Sequence, residues 1–180
     1  MSELHSGYLV VLKSLPDQYT QYNHRYKGID RTPPFSLESY RAGFDDPYLS
    51  REYIGLDGFI HSFELAQKVL DIYSQTEPAE NLEIIFAREW NEHQSGRMAE
   101  YRLLGYDIAS DRPFWSIVND SPSPEDPRFK PFLSQLNENG IFGMAELAAQ
   151  YLAEYSRSQS TNGKGLKLWV IYSPSQSQRT

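Results

Sequence analysis

Glu89 and His93 stand four residues apart, the spacing that puts two side chains on one face of a helix, where they would serve as a pair of metal ligands. With Glu92 or Glu100, His93 would instead form an acid/base pair. Local context argues against both uses. Residues 82–90 read as a strand and 91–96 as turn chemistry, and a metal site built without cysteine draws on more than one histidine. His61 stands just ahead of a helix, where capping or a solvent-facing position accounts for it. Asp107, Asp111 and Arg112 would suit an anion or a sugar, but turn hydrogen bonds and a local ion pair explain them with fewer assumptions. Ser95 lies beside Gly96 without the spacing of a nucleophile elbow, and no glycine pattern is of the phosphate-cradling kind. The residues therefore predict no catalytic, metal or cofactor site. A hydrolytic enzyme or small-molecule-binding protein is the alternative, and it requires folding to gather His61 or His93 with Glu89 and Asp107 in one pocket.

Composition narrows the partners. The 180-residue chain carries a net charge of −7, which disfavours nonspecific binding to nucleic acid or anionic membrane and makes a cationic partner the easier one. The one basic, ring-rich patch, Tyr19, Tyr22, His24, Arg25, Tyr26, Lys27 and Arg31, offers rings on which bases would stack, yet it falls in an apparent loop of an acidic protein. With no cysteine there is no disulfide, thiolate nucleophile or cysteine-ligated metal. The N-terminal residues lack the basic-then-apolar order of a signal peptide and no apolar run is long enough to span a bilayer, so a cytoplasmic location is expected.

The elements that must position these residues follow from periodicity. Residues 8–13 and 166–172 read as strands, and consecutive Ile84, Ile85 and Phe86 imply a strand buried on both faces. Residues 97–108 read as a second extended segment, paired antiparallel with 82–90 through a loop, and 113–118 as a third short strand or buried loop. Short helical segments are expected from Ser36 and at Asp46 and Pro47. Leu65, Val69 and Ile72, flanked by Ala66, Leu70 and Tyr73, predict a helix over 62–74 capped by Ser62. Phe129, Phe132, Leu133 and Leu136 predict a helix over 129–139 with Gly140 as its left-handed exit, and Met144, Leu147, Ala148, Tyr151, Leu152 and Tyr155 another over 144–156. The fold expected is a single α+β domain, an antiparallel or mixed sheet of about four strands with helices packed on it, ordered over about 7–173 with flexible tails at 1–6 and 174–180.

The most distinctive stretch is 102–118, which sets apolar residues, turn formers and an Asp/Arg pair around Gly105. Gly105 in an extended segment predicts a bulge or a close backbone approach, and Asp107 would accept hydrogen bonds from the turn at 109–111. The run Leu103-Leu-Gly-Tyr-Asp-Ile-Ala-Ser-Asp111, then Leu136-Asn-Glu-Asn-Gly-Ile-Phe142, an alanine-rich helix and the closing Trp169-Val-Ile-Tyr172 together resemble a group of small bacterial proteins akin to the immunity proteins of polymorphic toxin systems. The resemblance covers residues 103–172 and carries over no functional residue. It implies a protein that binds another protein, a basic toxin in its specific form, through an acidic, aromatic-rich surface. Tyr106, Asp107, Asp111 and Trp115 are the expected contacts, because the distinctive stretch contains them.

Overall fold

Leu168 through Pro174 are buried without a break, and only a strand covered on both faces and flanked on both sides can bury every side chain in turn. That strand sits inside the sheet. The computed structural model describes residues 5–12, 53, 55, 59–75, 82–91, 98, 100–109, 117–118, 126–158 and 165–174. Within them β1 (Ser6–Leu12), β2 (Leu82–Glu89), β3 (Tyr101–Ala109) and β4 (Lys167–Pro174) form one wholly antiparallel sheet in the order β1-β2-β4-β3. Among the described residues three helices accompany it, α1 (Phe63–Tyr73), α2 (Lys130–Leu133) and α3 (Ala145–Ser158). The fold class is α+β, as expected.

The strand pairing corrects one expectation. β2 and β3 do not pair with each other, because β4 lies between them and pairs with both. Two antiparallel steps leave β2 and β3 running in the same direction, which rules out a hairpin between them. The burial of β4 is the physical reason.

Alternation of side chains along each strand assigns the two faces. Leu9, Ile85, Ala87, Trp169 and Ile171 share one face with Phe59, Leu104 and Ile141 packed on it. Val10, Ile84, Leu168 and Ile108 lie on the other, and both long helices cover that face. α1 packs on β1 and β2, and α3 on β3 and β4.

Local sequence explains the helices. The Ser62 side chain accepts from Leu65 N at 3.1 Å, the capping bond expected of it, and Lys68 pairs with Glu64 at 3.1 Å on the exposed side. The buried stripe of α1 is Ala66, Val69 and Tyr73, rotated by one residue from the stripe centred on Leu65, Val69 and Ile72. α3 starts at Ala145 and buries Ala145, Ala148, Tyr151 and Tyr155, so Met144 precedes the helix and stands 56% exposed rather than lining its apolar face.

The helix expected over 129–139 is one turn only. It stops at Leu133 with Ser134 as its C-cap, and beyond it Asn137 Oδ1 accepts from Asn139 N at 2.9 Å and Ile141 N at 3.3 Å, a local alternative to helical bonding. Leu136 then bridges Phe142, and Gly140, at φ 68°, lies in the turn between them rather than at a helix exit. On β3, Gly105 has φ 147° and the pairing with β4 shifts between Leu103 and Gly105, the bulge its position implied. A Cβ there would stand 2.6 Å from Phe142 O, so the close approach requires glycine.

Outer backbone groups of both edge strands have partners at particular positions. Tyr8 exchanges two bonds with Ile60, at 2.8 and 3.0 Å. Tyr106 exchanges two with Phe142, at 2.8 and 2.9 Å, while Leu104 O accepts from Asn137 Nδ2 at 2.8 Å and Ile108 O from Ile117 N at 2.9 Å. Ser6 and Pro174 belong to the sheet, one residue beyond each end of the expected ordered span. The expected helical segments near Ser36 and Asp46 lie outside the described residues, as does the expected 113–118 segment apart from Ile117 and Val118, which are buried in a turn.

Candidate functional site

Tyr106 and Asp107 are consecutive on β3 and therefore point to opposite faces of the sheet. Tyr106 is half-buried on the helix-covered face. Asp107 is 0% exposed, so its side chain offers no surface to a partner. β3 continues to Ala109, and the rest of the turn expected to donate to Asp107, residues 110–111, lies outside the described residues. Asp111, Trp115 and His93 lie outside the described residues, as does the ring-rich 19–31 segment.

Two of the groups named for the enzyme alternative do share a face. Glu89 faces Trp169 in the register of β2 with β4, and Asp107 faces Trp169 in that of β3 with β4, which sets their Cα atoms about 10 Å apart across two strand spacings. Glu89 is ion-paired to Lys167 at 2.9 Å. His61 is exposed just ahead of α1. Among the described residues no three His, Asp or Glu side chains group as metal ligands. Trp169 is fully buried and Trp90 is half-buried against the cluster under α3.

The feature not foreseen from sequence is a row of rings across the sheet. Tyr8, Phe86, Tyr172 and Leu103 are partners in register on β1, β2, β4 and β3, all on the helix-covered face. Ring centroids lie 5.1 Å apart for Tyr8 and Phe86 and 6.5 Å for Phe86 and Tyr172. Tyr101 closes over the row, 5.3 Å from Phe86, and its hydroxyl bonds that of Tyr8 at 2.5 Å. Burial, followed by the bond to Tyr101, pushes the Tyr8 hydroxyl well above the usual phenol range. In the next row Arg88 lies 6.0 Å from the centre of the Tyr172 ring.

The row ends in exposed apolar surface. Leu103 is 45% and Met144 56% exposed, and they are the exposed large hydrophobic residues among those described. Tyr106 belongs to the same surface. It shares the face of Leu103, bridges Phe142 two residues before Met144, and its hydroxyl is held above the ordinary range by burial and then by electrostatic interaction with Tyr172 and Glu146. Glu146 is in the first turn of α3, where a carboxylate is favoured by the helix dipole.

Beside this surface the bulge at Gly105 opens a cleft of about 420 Å³. β3 contributes Arg102, Leu103, Leu104 and Gly105 to it, and the turn before α3 contributes Asn137, Glu138, Asn139 and Gly143. Sequence reasoning missed Leu103 and Met144 as surface residues, because hydrophobic periodicity assigns both to a core. It missed Arg102 and Glu138 because no local signal brings positions 36 residues apart together.

Comparison with family models, with curated proteins and with solved structures finds no match to this chain.

Proposed function

We propose that this chain is a cytoplasmic protein-binding protein whose recognition surface is centred on Leu103, Tyr106 and Met144, with inhibition of a cognate basic toxin as its specific form. The observation that carries the reading is the exposure of Leu103 and Met144 beside half-buried Tyr106. Exposed leucine and methionine next to a ring with a polar tip make an interface core, and the flexible thioether adapts to its partner. Charged Arg102, Glu138 and Glu146 are exposed near this core and supply a polar rim. The net charge of −7 steers a cationic partner toward the protein and raises the association rate, while the apolar contacts slow dissociation. No helix among the described residues is long and apolar enough to cross a membrane.

The test is capture from the native host at low and high salt, with the partner identified and its binding measured on purified protein. The reading expects a basic partner whose association slows as salt rises. It also expects the double substitution Leu103→Asp with Met144→Asp to weaken binding at least about a hundredfold with the fold intact, in line with two truncated hot-spot residues. Binding that survives the double substitution sinks this surface.

A further inference from the structure

We propose that the cleft beside the β3 bulge binds a small zwitterion, a free α-amino acid or a short peptide, with its carboxylate on Arg102 and its ammonium on Glu138. This goes beyond the partner-binding reading and stands or falls separately. The cleft, at about 420 Å³, is of ligand size, since small-molecule sites run from roughly 300 to 1,000 Å³ and a water takes up about 30 Å³. Its charges are complementary to a zwitterion. Arg102 comes from the strand and Glu138 from the turn, both are exposed, and among the described residues neither forms an ion pair although they line the same cleft. Opposite charges that share a cleft without meeting leave room for a ligand that carries the matching pair, and Arg binds a carboxylate with a two-pronged fork.

The frame of the cleft is fixed before any ligand arrives. Asn137 donates to Leu104 O and accepts from two backbone amides of its own turn, so its amide ties the turn to the strand. Glu138 is therefore carried on a turn tied to the strand that carries Arg102, and little ordering remains to oppose binding. Leu103 at the rim offers apolar contact to a ligand side chain. Gly143 keeps one side open, since a Cβ built there meets no atom within 4 Å.

The full-length chain, labelled for amide NMR, is titrated with L-leucine and with the dipeptide Gly-Leu, and N-acetyl-leucinamide serves as the uncharged control. The proposal expects saturable shifts at the Gly105 and Gly143 amides with at least one zwitterion and none with the control. Leucine alone binding sets a short charge spacing, and Gly-Leu alone binding sets a longer one. Arg102→Gln and Glu138→Gln should each weaken binding about tenfold, the effect of losing one charge-assisted hydrogen bond of roughly 1.4 kcal/mol. Gly143→Trp should abolish binding at an unchanged Tm, because the added side chain enters open space. Shifts absent with both zwitterions, equal shifts with the control, or full affinity in both charge variants each overturn the proposal. Failure to capture a protein partner leaves this result untouched.

Discussion

The two halves of the helix-covered face solve one packing problem with different chemistry. Under α1 the buried side chains are mostly aliphatic, Val10, Ile60, Ala66, Val69, Leu82 and Ile84, with Tyr73 as the buried ring of that cluster and Tyr8, Tyr53 and Phe63 packed part-buried against it. Under α3 four of the nine buried side chains in the described cluster are rings, Phe129, Phe142, Tyr151 and Tyr155. Tyr151 lies 5.4 Å from Phe129, 5.3 Å from Phe142 and 6.3 Å from Tyr155, stacked with the last at 19°. The difference follows from what each half must hold. α1 covers two regular strands, whereas α3 must also secure residues 126–142, a succession of turns with a single turn of helix. A large ring buries about 150–250 Å² and reaches several neighbours at once, so it can hold backbone that has few ladder bonds of its own. Regular structure needs only the right pattern; irregular structure needs particular large residues, and the candidate surface and cleft both lie on the irregular half.

Tyr151→Ala is the most severe way to break that contrast. Truncating this fully buried ring should cost about 3–5 kcal/mol in urea denaturation and loosen near-UV circular dichroism, because Phe129, Phe132 and Phe142 all lose a partner. Val69→Ala, the matching truncation under α1, should cost about 2 kcal/mol, two buried methyl groups plus a small cavity. Equal costs for the two would erase the distinction. Asn137→Ala should cost about 1–2 kcal/mol by freeing the turn from β3, and hydrogen exchange should quicken at Asn139 and Ile141 and not in α1. Ser62→Ala should cost about 1 kcal/mol through the lost cap, with fraying confined to α1.

The smallest effect is on pH dependence and sharpens the view of the aliphatic half. Burial raises the Tyr73 hydroxyl well above its ordinary range. A group whose folded pKa exceeds its unfolded one contributes stability that is complete below the unfolded value, about 10 for tyrosine, and is lost as pH rises toward the folded value. Tm should therefore fall above about pH 10, and Tyr73→Phe should make that fall shallower. An identical slope in the variant would remove Tyr73 as the cause.

Periodicity made the four strands and the two long helices legible, since Ile84 with Ile85, Leu168 to Tyr172, and the recurrence of Ala148, Tyr151 and Tyr155 each admit one reading. Gly105 announced its bulge because nothing else in that segment calls for glycine. Pairing was not legible. Residues 82–90 and 97–108 are near in sequence and suggested a hairpin, whereas β4, the last strand among the described residues, competes for the same edges and wins through its continuous burial. The ring row was invisible for the same reason, since Tyr8, Phe86, Tyr172 and Leu103 align only once the register is known. The helix expected to reach 139 stops at Leu133, and the residues near its expected end take up instead the side-chain bonds of Asn137, which local periodicity does not register. Tyr106 was named for the candidate site from its place in a distinctive segment, and strand alternation then separated it from Asp107.

The covered edges of the sheet decide how this protein can be approached. A strand with a bare row of amides and carbonyls invites a further strand from another chain, the route by which many peptides dock and by which sheet proteins aggregate. Here Ile60 occupies Tyr8 on one side, and Phe142, Asn137 and Ile117 occupy Tyr106, Leu104 and Ile108 on the other. At those positions a visiting strand would have to displace existing bonds before making its own. Recognition at those positions falls to side chains and shape, and there β-augmentation is closed to friend and aggregate alike.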